Sequence, residues 1–133
     1  MKGKNILEKE AIYGKRVYLS GKITGYENFK EVFYKYEKNL IKEYQCKVEN
    51  PTKFEENKYC ELWEEFMKND IRRLCSCQFI AIIGNWWESD GSKLEITIAH
   101  KLGLKMFYVE TMEIFDYIPY IKFVVKNAEN LVI

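Results

Sequence analysis

Residues 79–84, Phe-Ile-Ala-Ile-Ile-Gly, constrain the fold more than any other stretch of this chain. An apolar run without polar alternation is typical of a strand that is buried on both faces, as in a parallel sheet covered by helices. A helical pattern follows at Leu94, Ile98, Ala99 and Leu102 and ends before Gly103. The run therefore predicts a strand, a loop and a helix, and the end of such a strand is where open parallel sheets bind ligands.

The rest of the chain alternates between the two kinds of element. The predicted strands are residues 16–20, 46–49, 78–84 and 105–109, and the predicted helices, besides the one after Gly91, are residues 28–44 and 59–74. This βαβαβαβ order predicts a single-domain α/β fold, a flavodoxin- or Rossmann-like three-layer sandwich with a parallel sheet. Residues 1–14 are expected to be a tail or short helix before a domain of residues 15–133. Residues 111–133 could form a helix or a strand at the sheet edge, or contact another subunit.

Charge and hydropathy exclude several classes of partner. The 133 residues include 21 basic and 20 acidic ones, so the basic excess of a dedicated nucleic-acid binder is missing. No apolar run approaches the roughly 20 residues that span a bilayer, and the first residues lack the apolar core of a secretory signal. We therefore expect a cytoplasmic protein that binds neither nucleic acid nor membrane.

The four cysteines predict structural thiols rather than a metal site. Cys75 and Cys77 form a close pair, but the sequence supplies no second pair, and the single histidine, His100, lies elsewhere on a helix. Free cysteine in an intracellular protein usually behaves as a small buried hydrophobic residue. No metal and no other cofactor is expected.

The candidate chemical groups are carboxylates. Residues 20–26, 50–58 and 85–92 should converge as loops at the carboxyl edge of the sheet, and none of the three contains histidine. A Ser-His-Asp arrangement is therefore excluded unless His100 reaches back. Glu88, Asp90 and Glu95 lie in or just after the third loop, and Asp70 lies on the preceding helix. Catalysis would use these groups as nucleophile or as general acid and base.

Each of these residues also has a structural interpretation. Residues 92–95, Ser-Lys-Leu-Glu, match a capping box in which Ser92 caps the helix and Glu95 bonds back, and spacing alone favours that role. Asp70 could be solvated or paired with a neighbouring arginine. Trp86 and its neighbour Trp87 could pack in the core, or wall a pocket and stack on a base.

Three segments together carry a resemblance to a known family. They are residues 17–25, Val-Tyr-Leu-Ser-Gly-Lys-Ile-Thr-Gly, the helix positions Trp63, Met67 and Asp70, and residues 89–95, Ser-Asp-Gly-Ser-Lys-Leu-Glu. The combination resembles the nucleoside 2-deoxyribosyltransferase superfamily, particularly a small bacterial and phage branch of deoxyribosyltransferase-like proteins. That branch shares the Asn-Pro found here at residues 50–51 and a Trp-x-x-Ser-x-Gly-x-x-x-Glu segment, here residues 86–95. The resemblance covers residues 16–109.

The resemblance implies roles for individual residues. Glu95 corresponds to the nucleophile that attacks the anomeric carbon, Asp70 to an aspartate that holds the sugar and the nucleophile, and Tyr18 to a tyrosine beside the glutamate. A carboxylate of this kind traps an oxocarbenium-like centre covalently, and water or a second base then resolves the intermediate. The implied substrate-binding residues are Ser20, Gly21, Lys22, Ile23, Trp86, Ser89, Asp90 and Gly91. Related enzymes complete their sites with a neighbour's residues, so a homo-oligomer, a dimer or larger, is expected.

One departure from the transferase pattern affects the expected ligand. The transferases have aspartate at the position of Ser89, and serine there resembles the nucleoside 5′-monophosphate N-glycosidase branch, where it helps to bind phosphate. Lys22 could pair with a phosphate as a point charge, so the pattern favours a phosphorylated ligand over base exchange between free nucleosides. The first hypothesis is therefore cleavage or transfer at the N-glycosidic bond of a nucleoside or nucleotide. The alternative is a non-catalytic protein that sequesters a nucleotide or a nucleotide signal, and a purely structural role is the weakest of the three.

Overall fold

The computed structural model describes residues 5–54 and 62–118, together with residues 122 and 126. Two short 3-10 helices, Pro51–Phe54 and Trp86–Glu88, lie in loops. The other elements, in chain order, are α1 (Lys9–Ile12), β1 (Arg16–Ser20), α2 (Phe29–Tyr44), β2 (Lys47–Glu49), α3 (Trp63–Cys75), β3 (Phe79–Ile82), α4 (Asp90–Lys101) and β4 (Lys105–Tyr108).

The four strands form one parallel sheet with the order β2-β1-β3-β4. Tyr18 of β1 lies opposite Ile80 of β3, and Ser20 lies opposite Ile82. The chain leaves β1 toward β2 on one side and returns to β3 on the other, so the strand order reverses between β1 and β3. That reversal creates a crevice at the carboxyl ends of these two strands, where open α/β sheets bind ligands.

Side chains alternate along the strands between two separate cores. Val17 and Leu19 of β1 face a core that includes Phe33 and Leu40 of α2. The core on the opposite face is formed by side chains of β1, β3, α3 and α4. They include Tyr18, Leu74, Ile80, Ile82, Ile96 and Ala99. Helices thus cover both faces of the sheet, which confirms the predicted three-layer α/β sandwich and explains why β3 is apolar throughout.

The start of α4 differs from its prediction. The helix begins at Asp90, and its N-cap is Ser89, whose Oγ accepts a hydrogen bond of 3.1 Å from the backbone N–H of Ser92. The predicted capping box of Ser92 and Glu95 is therefore wrong. Both residues lie inside the helix and are buried. No second cap is needed, because Ser89 already accepts from the N–H group that a cap must satisfy.

The two ends of the chain are only partly described. The short helix α1 lies within the segment predicted as a tail or short helix, and its Ile12 is buried against the α2 core. Near the other end, Phe115 is buried beside Trp86, and the ring of Tyr117 stacks on His100. Most of the helix or strand considered for residues 111–133, and the start of the helix predicted from residue 59, lie outside the described residues. No helix in the described part of the chain is long and apolar enough to cross a membrane.

Candidate active site

A cavity of about 560 Å³ opens at the crevice between β1 and β3. Its walls come from the loop after β1, the turn after β2, one face of α3, and the loop that leads into α4. The lining residues are Gly21, Lys22, Ile23, Thr24, Pro51, Trp63, Phe66, Met67, Asn69, Asp70, Arg73, Glu88, Ser89, Asp90, Gly91, Ser92 and Glu95. The three loops that were expected to converge thus meet at one cavity.

Close contacts hold the loops after β1 and β3 together. A Cβ atom on Gly21 would lie 2.8 Å from Cδ1 of Ile83, so only glycine allows this approach of the two loops. Asn85 Oδ1 accepts a hydrogen bond of 3.0 Å from the backbone N–H of Lys22. Behind them, the backbone N–H of Gly84 donates to the carboxylate of Glu110 at 2.6 Å. The cavity is therefore bounded by backbone that is fixed on both sides of the sheet crevice.

Glu95 projects from α4 toward the end of β1, where both of its carboxyl oxygens have partners. Tyr18 donates its hydroxyl to Oε2 of Glu95, and Ser20 donates to Oε1 at 2.8 Å. Ser20 Oγ also lies 3.0 Å from Ser92 Oγ, so the Ser92 hydroxyl can donate to it in turn. Glu95 is only 5% exposed, and that small exposed part lies on the cavity wall. Its carboxyl group is consequently both oriented and desolvated.

This environment changes the proton affinity of the carboxyl group. Burial raises the pKa of Glu95 from 4.5 to about 8, and the negative charge of Asp70 acts in the same direction, whereas the hydrogen bonds from Tyr18 and Ser20 lower it. Burial and the proximity of Glu95 raise the pKa of the Tyr18 hydroxyl well above its usual value. The carboxyl group of Glu95 is therefore largely protonated at neutral pH and ionises just above it, the range in which a side chain can exchange protons with a substrate.

The carboxylate of Asp70 faces the same cavity from α3. Its Oδ1 lies 3.3 Å from Nη1 of Arg73, one helical turn further on, and both side chains are mostly buried. The neighbouring Arg72 bonds instead to Asn69. Asp70 is thus salt-bridged, as its structural interpretation expected, and it also lines the cavity.

The second charged pair lies at the opposite wall. Nζ of Lys22 is 3.1 Å from Oε2 of Glu88, and both side chains are partly exposed. Asp90 also lines the cavity, but its side chain is 90% exposed and lies 3.7 Å from Nζ of Lys93. Next to it, a Cβ atom on Gly91 would lie 3.2 Å from the sulfur of Met67, so glycine lets α4 approach α3.

The structure brings most of the predicted site residues together. The cavity wall includes Glu95, Asp70, Gly21, Lys22, Ile23, Ser89, Asp90 and Gly91. Tyr18 and Ser20 are fully buried and contact Glu95 rather than the cavity. The prediction that Trp86 contacts the substrate is wrong. Trp86 is not among the residues that line the cavity, and it packs edge-to-face on Phe115 at 5.6 Å between ring centroids. Its packing interpretation is therefore the one that the structure bears out.

Sequence reasoning missed several residues of the wall. Ser92 was read only as a cap, although its hydroxyl joins the Ser20 and Glu95 network. Phe66 and Met67 lie in the helix predicted for residues 59–74, and periodicity cannot distinguish an apolar side chain facing a core from one facing a cavity. The charged pairing of Lys22 with Glu88 joins two loops that are far apart in sequence, so no local pattern could have revealed it.

The three cysteines among the described residues are not part of the cavity wall. Cys46 and Cys77 are buried, and burial raises the pKa of each thiol to about 11, whereas Cys75 is exposed. Within the described residues, no group of three or more histidine, cysteine, aspartate or glutamate side chains could hold a metal ion.

The parallel sheet and its strand order define an α/β domain with a nucleoside deoxyribosyltransferase-like fold. The chain itself belongs to the family described as "Domain of unknown function (DUF4406)", whose model matches residues 15–108. None of the curated proteins matches it.

Two solved structures show the likeness of the fold. One is a 2-deoxyribosyltransferase from Bacillus psychrosaccharolyticus, which is 20% identical with a TM-score of 0.57 over 77% of this chain and 78% of that one. The other is a conserved protein from Enterococcus faecalis V583, which is 11% identical with a TM-score of 0.53 over 71% of this chain and 62% of that one.

Proposed function

We propose that this protein cleaves or transfers the N-glycosidic bond of a (deoxy)nucleoside or a nucleoside 5′-monophosphate, with Glu95 as the nucleophile. The observation that carries the proposal is the environment of Glu95, a buried carboxyl group on a cavity wall with hydroxyl donors on both oxygens. A group that only stabilised the helix would not need two donors from another strand. The likeness of the fold to a 2-deoxyribosyltransferase supports the same assignment.

The chemistry requires the ionised form of Glu95. One carboxylate oxygen attacks C1′ of the sugar and forms an ester bond, while the bond from C1′ to the base nitrogen breaks. The base leaves with the bonding electrons and takes a proton from water. Water, or a second base, then attacks C1′ and releases the carboxylate, as in retaining glycoside hydrolysis. Asp70 holds the sugar, and Tyr18 and Ser20 orient the carboxylate by donating to it.

The direct test is release of free base. Purified protein is incubated with a panel of 2′-deoxynucleosides and their 5′-monophosphates, with and without a second base, and the products are separated by chromatography. Glu95→Gln preserves the size of the side chain and one of its two acceptor oxygens but removes the nucleophile, so we expect turnover to fall by at least about a thousandfold. Glu37→Gln is the matched control, since Glu37 is also buried but lies on α2, the helix of the opposite core. Full turnover by Glu95→Gln would refute the assignment.

A non-catalytic nucleotide-binding protein is the second candidate. The observation that favours it is the pKa of about 8 for Glu95, because a protonated carboxyl group is a poor nucleophile at neutral pH. The argument from sequence for this candidate was stacking of a base on Trp86 or Trp87. Trp86 is buried against Phe115, and Trp87 is exposed but is not among the residues that line the cavity. Binding by calorimetry without any released base, at neutral pH and also at about pH 9, would select the binding protein.

The proposal extends to the assembly and its location. We expect a cytoplasmic homo-oligomer, a dimer or larger, that uses no cofactor and acts on a small molecule. Size-exclusion chromatography with light scattering measures the oligomeric state.

A further inference from the structure

The two basic side chains that line the cavity within the described residues are both paired with acids. Lys22 lies 3.1 Å from Glu88, and Arg73 lies 3.3 Å from Asp70. Asp90 adds a further carboxylate to the wall. Among the described residues, the cavity therefore offers a dianionic group no cation without a carboxylate beside it.

The geometry points to Glu88 as the residue that determines the charge of the ligand, so that the cavity selects a nucleoside without a 5′-phosphate. This inference rests on the proposed function and narrows its substrate class. A phosphate that contacts Lys22 would lie within a few ångströms of the Glu88 carboxylate. Repulsion from that carboxylate would then cancel most of the attraction to the ammonium group.

The ion pair is held at both of its backbone ends. The N–H of Lys22 donates to the side chain of Asn85, and the N–H of Glu88 donates to the carbonyl oxygen of the same Asn85 at 3.1 Å. The short helix that carries Glu88 is anchored by Trp86, which packs on Phe115. The backbone thus keeps Glu88 beside Lys22 in the cavity wall.

The start of α4 does not supply the missing positive site. A helix N-terminus normally attracts anions through its free N–H groups and its dipole. Here the hydroxyl of Ser89 already accepts from the N–H of Ser92, and the carboxylate of Asp90 occupies the first turn. Lys22 is thus paired within the protein, whereas the Ser89 hydroxyl accepts from the backbone of α4 and keeps its own proton for donation.

The test compares 2′-deoxyadenosine with 2′-deoxyadenosine 5′-monophosphate by calorimetry and by base release. We expect the wild type to favour the nucleoside at least tenfold in both measurements. Glu88→Gln keeps the side-chain size and removes the acidic partner of Lys22, so the preference for the monophosphate relative to the nucleoside should rise about tenfold in both measurements. Asp90→Asn is the matched control, because it removes the same charge from the same cavity without freeing Lys22, and should change the ratio less than threefold.

The outcomes separate the two proposals. A wild type that favours the monophosphate, or a Glu88→Gln variant no better than Asp90→Asn at accepting it, overturns the role of Glu88. If the wild type neither binds nor cleaves any nucleoside, the proposed function fails. Inorganic phosphate then tests the charge inference alone, by phosphorus NMR line broadening with wild type and Glu88→Gln. Broadening by the variant only supports the inference, and broadening by both or by neither overturns it.

Discussion

Replacing Glu95 by glutamine should change how the stability of the protein depends on pH. In the unfolded chain the carboxyl group ionises near its ordinary pKa of 4.5, whereas in the fold burial raises that pKa to about 8. Between these values the folded state holds a proton that the unfolded chain has released. The free energy of unfolding of the wild type therefore falls as the pH rises through this range.

The size of the effect follows from the two pKa values. Each pH unit between them costs about 1.4 kcal/mol, so ionisable Glu95 lowers the stability of the fold by about 3 kcal/mol at pH 7 and about 5 kcal/mol above pH 8. A domain of this kind is stable by only about 5–15 kcal/mol, so the effect is easily measured. The amide of Glu95→Gln carries no charge at any pH, and the variant escapes the penalty.

The assay is urea unfolding of wild type and variant at about pH 4, 7 and 9, followed by far-UV circular dichroism. At the lowest pH, the difference in the free energy of unfolding between the two proteins measures the effect of exchanging a carboxyl group for an amide. The increase of this difference toward high pH measures the effect of ionising Glu95. Contributions from titrating groups that do not interact with Glu95 are shared by both proteins and cancel. Asp90→Asn is the control, because it removes a carboxylate from an exposed position of the same helix. We expect its difference in free energy of unfolding from the wild type to increase much less with pH. A constant difference between wild type and Glu95→Gln from pH 4 to 9 would refute the reasoning.

Three further predictions concern the same region. If Glu95 is the nucleophile, kcat/KM should rise with pH through about 8, and Tyr18→Phe should move that rise upward by roughly one to two pH units because the carboxylate loses a donor. An unchanged pH–rate profile in the variant would contradict this. Gly21→Ala should lower stability by about 1–3 kcal/mol in urea unfolding, because its Cβ atom would lie 2.8 Å from the Ile83 side chain, and wild-type stability would show that the loops can separate. Ser89→Ala should cost about 1 kcal/mol through loss of the cap of α4, and no loss would indicate that another group caps the helix.

The fold was predictable because its elements are encoded locally. The apolar run of residues 79–84 indicates a strand that is buried on both faces. The alternation of strands with amphipathic helices is typical of a parallel sheet covered by helices, which is the architecture observed. The convergence of three loops at one edge followed from the direction of the strands. Boundaries were less accurate, as with α4, which begins at Asp90 because Ser89 rather than Ser92 satisfies the first N–H groups.

The sequence alone thus determined the class of fold, the edge of the sheet where the cavity lies, and the short set of carboxylates available there. Only the tertiary structure decided that Glu95 is a buried acid bonded to another strand rather than a helix cap, because the two arrangements show the same spacing and differ in what lies beside the side chain. The donors to Glu95 come from Tyr18 and Ser20, more than 70 residues earlier in the chain. Pairings across such separations, like that of Lys22 with Glu88, depend on how strands and loops pack, and no local pattern contains that information.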